Sequence, residues 1–182
     1  MSIRTLGRSA ALAIAMAAAA SPLVAQAAAP PEPQPADVAS ADAILAALYD
    51  VISGPAGEKR DWDRFRSLFV PGARLIPVAR PQGAAPRPIV WTPDEYIANA
   101  GSRLEQSGFF EVEIGRVMET FGAVTHAMSA YASRRAADDP EPFSRGINSI
   151  QLLNDGTRWW VVSIYWDSER PDNPIPAKYI TR

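Results

Sequence analysis

The sequence holds a single histidine, His126, and imidazole is the side chain best suited to move a proton near neutral pH. It stands in Val124-Thr125-His126-Ala127-Met128, which reads as a β-strand, so its ring shares a face with Met128. The alternation predicts that this face is the one buried against the helical layer. There His126 is either a general base or a neutral ring bonded to a neighbouring element. A base needs an orienting partner and a substrate proton within reach. The same alternation gathers Met118, Asn148, Trp159, Ser163 and Tyr165 as candidate ligand contacts, with Arg116 and Asp167 nearer the rim. A mostly apolar wall with a few hydrogen-bonding groups suits a small apolar or amphipathic molecule.

Other chemistries lack their residues. There is no cysteine and only the one histidine, so no tight zinc site is expected. No Gly-x-Ser-x-Gly, phosphate-binding glycine loop or dinucleotide fingerprint occurs, and no cofactor is expected. Glu111, Glu113 and Glu119 alternate along one strand face, which is expected to meet water. Asp61 and Asp63 open a helix, where a carboxylate caps and meets the positive end of the helix dipole. Trp159, Trp160 and Trp166 either stack on an aromatic ligand or serve as plain core.

The elements that must position these residues follow an N-terminal leader. Arg4 and Arg8 precede an apolar run from Ala10 to Ala20, and Ala25-Gln26-Ala27 fits a small-x-small cleavage site. Residues 1–27 therefore read as a secretory signal peptide. The run falls short of the ~20 residues that span a bilayer, so no stable membrane span is expected after cleavage. Losing Arg4 and Arg8 moves the formal net charge from −2 to −4. No basic footprint for nucleic acid is visible, nor a polybasic stretch for an anionic membrane. The expected destination is the periplasm or the exterior. Without disulfides, the folded part must rely on its core.

Residues 28–39 carry Pro30, Pro31, Pro33 and Pro35 and read as a disordered linker. A first helix is predicted over Asp42–Ser53, with Ile44, Leu45, Leu48, Val51 and Ile52 on one stripe and Gly54-Pro55 as the stop. A second spans Asp61–Phe69, before a strand at Ala73–Val78 and a loop over Ala79–Pro88. Thr92-Pro93-Asp94-Glu95 is a capping signal for a third helix reaching Gln106. Four strands follow at Phe109–Thr120, Val124–Arg134, Phe143–Asn154 and Thr157–Asp167, with a hairpin turn at Asp155-Gly156. Residues 168–182, with Pro171, Pro174 and Pro176, read as an extended tail.

Asp61 to Phe69 with Ala73-Arg74-Leu75, Phe121 to Ala127, and Asp155 to Ser163 resemble bacterial members of the NTF2-like (SnoaL-like, cone-shaped α+β) superfamily. The resemblance covers Ala41 to Asp167. It implies an α+β fold over residues 40–167, with three N-terminal helices packed on a strongly curved, mainly antiparallel sheet and a pocket at the wide end. Members of the superfamily include isomerases, dehydratases, epoxide hydrolases, polyketide cyclases and proteins of no known reaction. The spacing of His126, Tyr165 and Asp167 matches neither the isomerase nor the dehydratase set, so neither activity is carried over.

Three readings follow: an exported domain that binds a small molecule, a cofactor-independent lyase, isomerase or hydrolase with His126 as general base, and a protein-interaction module. Ile147, Val162, Ile164 and Trp166, placed on the opposite face, predict a homodimer packed sheet to sheet.

Overall fold

The structure is a computed structural model that describes residues 29–180. The leader read over residues 1–27 lies outside the described residues. Helix α1 (Ala41–Ile52) starts where the Ser40 hydroxyl accepts the Ala43 amide. Its stripe of Ile44, Leu45, Leu48 and Val51 is buried. Helix α2 (Trp62–Ser67) is capped by Asp61, which accepts the Arg64 amide at 2.9 Å. It buries Phe65 against the rings of Phe69 and Tyr96.

Strand β1 (Phe69–Ala79) follows directly, and the loop after it contributes a short β2 (Arg87–Pro88). The predicted third helix is continuous but not uniform. An α-helical turn, α3 (Pro93–Tyr96), runs into a π-helical stretch at Ile97–Gly101 and then into α4 (Ser102–Ser107). Thr92 and Glu95 form the reciprocal capping box. Gly108 ends the helix at φ +68°, and a β-carbon there would lie 2.5 Å from the Arg135 carbonyl oxygen.

Four long strands follow: β3 (Phe110–Phe121), β4 (Val124–Arg134), β5 (Ser144–Asn154) and β6 (Trp159–Ser168). The sheet order is β2-β1-β6-β5-β4-β3, antiparallel except where β1 runs parallel to β6. The α1 stripe and Phe65 and Leu68 pack on Leu75, Ala127, Ile150, Leu152 and Val161 of the sheet. Each such side chain contributes about 1.5–3 kcal/mol on burial.

Two bulges decide which residues face the helices. On β3, Glu113 pairs with Tyr131, but Gly115 pairs with the next residue, Ala130. Directly paired residues share a face. Glu111 and Glu113 therefore point inward, and beyond the bulge Arg116 and Met118 do. On β6, Val161 pairs with Leu152 and Ser163 with Gln151, so Val162 is the extra residue. Past it Ile164 and Trp166 point inward, while Ser163 and Tyr165 point outward. The expected faces of these last four are thus reversed.

Both ends of the domain differ from expectation. Pro35–Val38, read as part of a disordered linker, is a 3-10 turn with Asp37 and Val38 buried, and Asp37 pairs with Arg64 at 2.8 Å. The tail crosses the outer face of the sheet. Its 3-10 turn Ala177–Tyr179 rests on β3 and β4, and a β-carbon on Gly115 would lie 2.5 Å from the Tyr179 carbonyl oxygen. Ala130 and Ala132 of that face are buried as a result. The face assigned to a homodimer is therefore partly occupied by the chain itself. No described helix is long and apolar enough to cross a membrane.

Candidate functional site

A cavity of about 320 Å³ lies between the helices and the inner face of the sheet. Three elements form it. The stripe of α1 brings Leu48 and Tyr49, the α3–α4 helix brings Tyr96, Ala100 and Arg103, and the sheet brings Glu111, Asn148 and Trp166. Aromatic rings dominate the wall: Phe65 stacks on Tyr96 at 5.4 Å, and Trp91 and Trp166 each meet Tyr96 edge-on at 6.4 Å.

The polar floor is a hydrogen-bonded network with one uncompensated charge. Ser129 donates to Glu113 at 2.5 Å, and Arg116 donates to the other Glu113 oxygen at 2.6 Å. Because the Ser129 proton is committed there, Tyr49 must donate to Ser129, at 2.6 Å. The Tyr49 oxygen then accepts from the Asn148 amide at 3.2 Å. The Asn148 amide nitrogen also lies 3.5 Å from Glu111 Oε1, and Ser133 donates to Oε2 at 2.8 Å. Burial raises the Tyr49 phenol, with Glu111 adding to the shift, so it stays a neutral donor at any physiological pH.

Glu111 has no cation beside it among the described residues. Burial pushes its carboxyl up to about 7, against the opposing effect of the Ser133 and Asn148 bonds. It therefore exchanges a proton near neutrality, inside an apolar cavity, and can act there as acceptor, donor or base. Its backbone amide is anchored by the Ser53 hydroxyl at 3.0 Å, which ties the start of β3 to the end of α1.

The residues named from sequence do not assemble into one site. Asn148 lines the cavity. His126 lies on the outer face, opposite Glu119 and Gln151, with Nε2 2.9 Å from the Ser149 hydroxyl. Asn148 and His126 thus face opposite ways, and His126 cannot be the base of this cavity. Met128, Ser163 and Tyr165 are on the outer face as well. Met128 and Tyr165 line a separate groove of about 370 Å³ beside the tail. Trp159 packs at the edge of the core, and Met118 is inward but exposed beyond the cavity.

The misplacement has two sources: on β3 the glutamates rather than the apolar positions point inward, with Val112 exposed, and on β6 the bulge at Val162 turns Ser163 and Tyr165 outward. A usable signal was present: the glutamate face of β3 pairs with the Ser129, Tyr131 and Ser133 face of β4, which supplies hydroxyl partners for inward carboxylates.

Helices laid on one face of a bulged sheet, with a cavity between the layers, make a cone-shaped α+β fold. Solved structures agree with it. The chain is similar to the Kfla4162 protein of Kribbella flavida (TM-score 0.51, 12% identity, 70% of this chain and 86% of that one). It is similar to a protein of unknown function with a cystatin-like fold from Nostoc punctiforme (TM-score 0.51, 12% identity, 73% and 90%). A likeness at TM-score 0.49 and 15% identity extends to an NTF-2 like protein of unknown function from Silicibacter pomeroyi, covering 72% and 94%. The first two, at such identities, speak for the fold alone. No protein-family model matches the chain, and no curated protein matches it significantly.

Proposed function

We propose that this is an exported domain that binds a small amphipathic molecule in its inner cavity. The ligand's apolar body lies among Phe65, Trp91, Tyr96 and Trp166, and a hydroxyl or carbonyl reaches Asn148 and Glu111. The observation that carries this reading is the half-buried carboxyl without a counter-charge at the floor of an otherwise aromatic cavity. Such a volume is within the usual range for small-molecule sites. The test is mass spectrometry of protein isolated natively from its producing cells, with tryptophan fluorescence on added small-ring alcohols, ketones and acids. A co-purifying organic molecule and quenching by at least one compound class are expected. A protein that carries nothing and responds to none of them sinks the reading.

A second reading is acid–base catalysis in the same cavity, with Glu111 in the role that sequence assigned to His126. The near-neutral carboxyl favours it, because a group that exchanges its proton near working pH serves in both directions of a proton transfer. Glu111→Gln should then abolish turnover while retaining ligand. Turnover that survives the substitution removes Glu111 from the chemistry.

A further inference from the structure

We infer that the ligand of this cavity is a monocarboxylate, held by Arg103. The inference deepens the binding reading above and rests on it. Arg103 is the one cation among the described residues that line the cavity. Among the described arginines, only Arg103 and Arg87 make no side-chain hydrogen bond or ion pair. Both are exposed, and Arg103 lines the cavity whereas Arg87, on β2, does not. The others are all engaged: Arg64 by Asp37 and Asp50, Arg66 by Asp63 and Asp94, Arg116 by Glu113 and Asp42. The described arginines are paired almost everywhere, and the exception at a cavity is the one a ligand would fill.

Position sharpens the point. Tyr96, Ala100, Arg103 and Leu104 all line the cavity from the α3–α4 helix, with Arg103 solvent-exposed at the cavity's rim. The helix widens into π geometry at Ile97–Gly101, directly before Arg103. Such interruptions are frequent at functional sites. Asn99, a further cavity residue, bonds its side chain back to the Glu95 carbonyl, which leaves the mouth's ionic contact to Arg103 alone.

One planar guanidinium offers two parallel donors, which match a carboxylate; a phosphate dianion calls for more donors than this cavity presents. No ion pair joins Arg103 to Glu111, so the cavity keeps one cationic and one proton-exchanging group at separate points on its wall. At about 30 Å³ per water, the volume holds roughly ten water equivalents. That suits an acid with one ring and a short chain, its carboxylate at Arg103 and its far end toward the floor.

The test uses three probes of one shape: 3-phenylpropanoate, 3-phenylpropan-1-ol and 3-phenylpropan-1-amine. Affinities are read from tryptophan fluorescence and calorimetry on the wild type and on Arg103→Gln. That arginine has no intramolecular side-chain partner to lose, so the variant is expected to fold. The acid should bind roughly tenfold tighter than the alcohol, and Arg103→Gln should erase that advantage while moving the alcohol less than about twofold. Equal affinity of acid and alcohol, preference for the amine, or an acid preference that survives Arg103→Gln overturns the inference while leaving the cavity a binding site. If no probe binds the wild type, the binding reading falls and this inference with it.

Discussion

Glu111 and Glu113 stand two residues apart on the same face of β3, yet only Glu113 meets a cation. Arg116 reaches Glu113 at 2.6 Å, and Glu111 has only the Ser133 hydroxyl and the Asn148 amide. The difference follows from the bulge between Glu113 and Gly115, which turns Arg116 onto the inner face beside the first carboxylate it meets. Two like residues thereby acquire unlike tasks, one structural and one available for ligand or proton.

The first prediction concerns pH. Glu111 lies at about 7 in the folded chain, above the ordinary 4.5. The folded state therefore holds the extra proton between those values, and stability falls as pH rises through that window. Glu111→Gln should flatten this slope and stabilise the protein at pH 8 by about 1–3 kcal/mol, allowing for partial solvent access through the cavity. Urea unfolding of both proteins across pH checks it. An unchanged slope would mean that Glu111 is ionised normally.

The second concerns the network. Tyr49→Phe removes the acceptor of the Asn148 amide and the donor to Ser129. The Asn148 amide then keeps only its long contact with Glu111 and the Ser129 oxygen loses its donor, which should cost about 1–3 kcal/mol by urea titration. A change near zero would show that the network does not hold in solution.

The third concerns the tail. Gly115→Ala puts a β-carbon against the backbone of Tyr179 and Ile180. Something must shift, at about 1–3 kcal/mol. Hydrogen exchange at residues 177–180 should speed up by an order of magnitude or more, with the core helices little changed. Undiminished protection there would place the tail elsewhere.

The fourth concerns the displaced candidate. His126→Gln touches only the Ser149 hydroxyl on the outer face. Stability should move by less than about 1 kcal/mol. Affinity for any cavity probe should stay the same, and a clear loss of probe binding would return His126 to the site.

How much of this was readable in the residues depended on the range of the deciding interaction. The α1 stripe, the Asp61 cap and the Thr92–Glu95 capping box rest on contacts three or four residues apart, and all are in place. The Asp155-Gly156 turn is likewise local, with the Asp155 carboxylate accepting the Thr157 and Arg158 amides. The faces of β3 and β6 were not local. They turn on bulges at Ile114 and Val162, which depend on how the sheet bends and on what crosses it. Glu111 was misplaced for a related reason: its partners Ser133 and Asn148 lie 22 and 37 residues away, so only the folded chain shows that a carboxylate can be accommodated inside.

The tail has a mechanical corollary. It leaves from the end of β6 and comes to rest over β3, two strands further across the sheet than its nearest neighbour β5. It works as a girdle on the convex side: β3 and β6 cannot swing apart to flatten the sheet without peeling residues 177–180 away from Gly115.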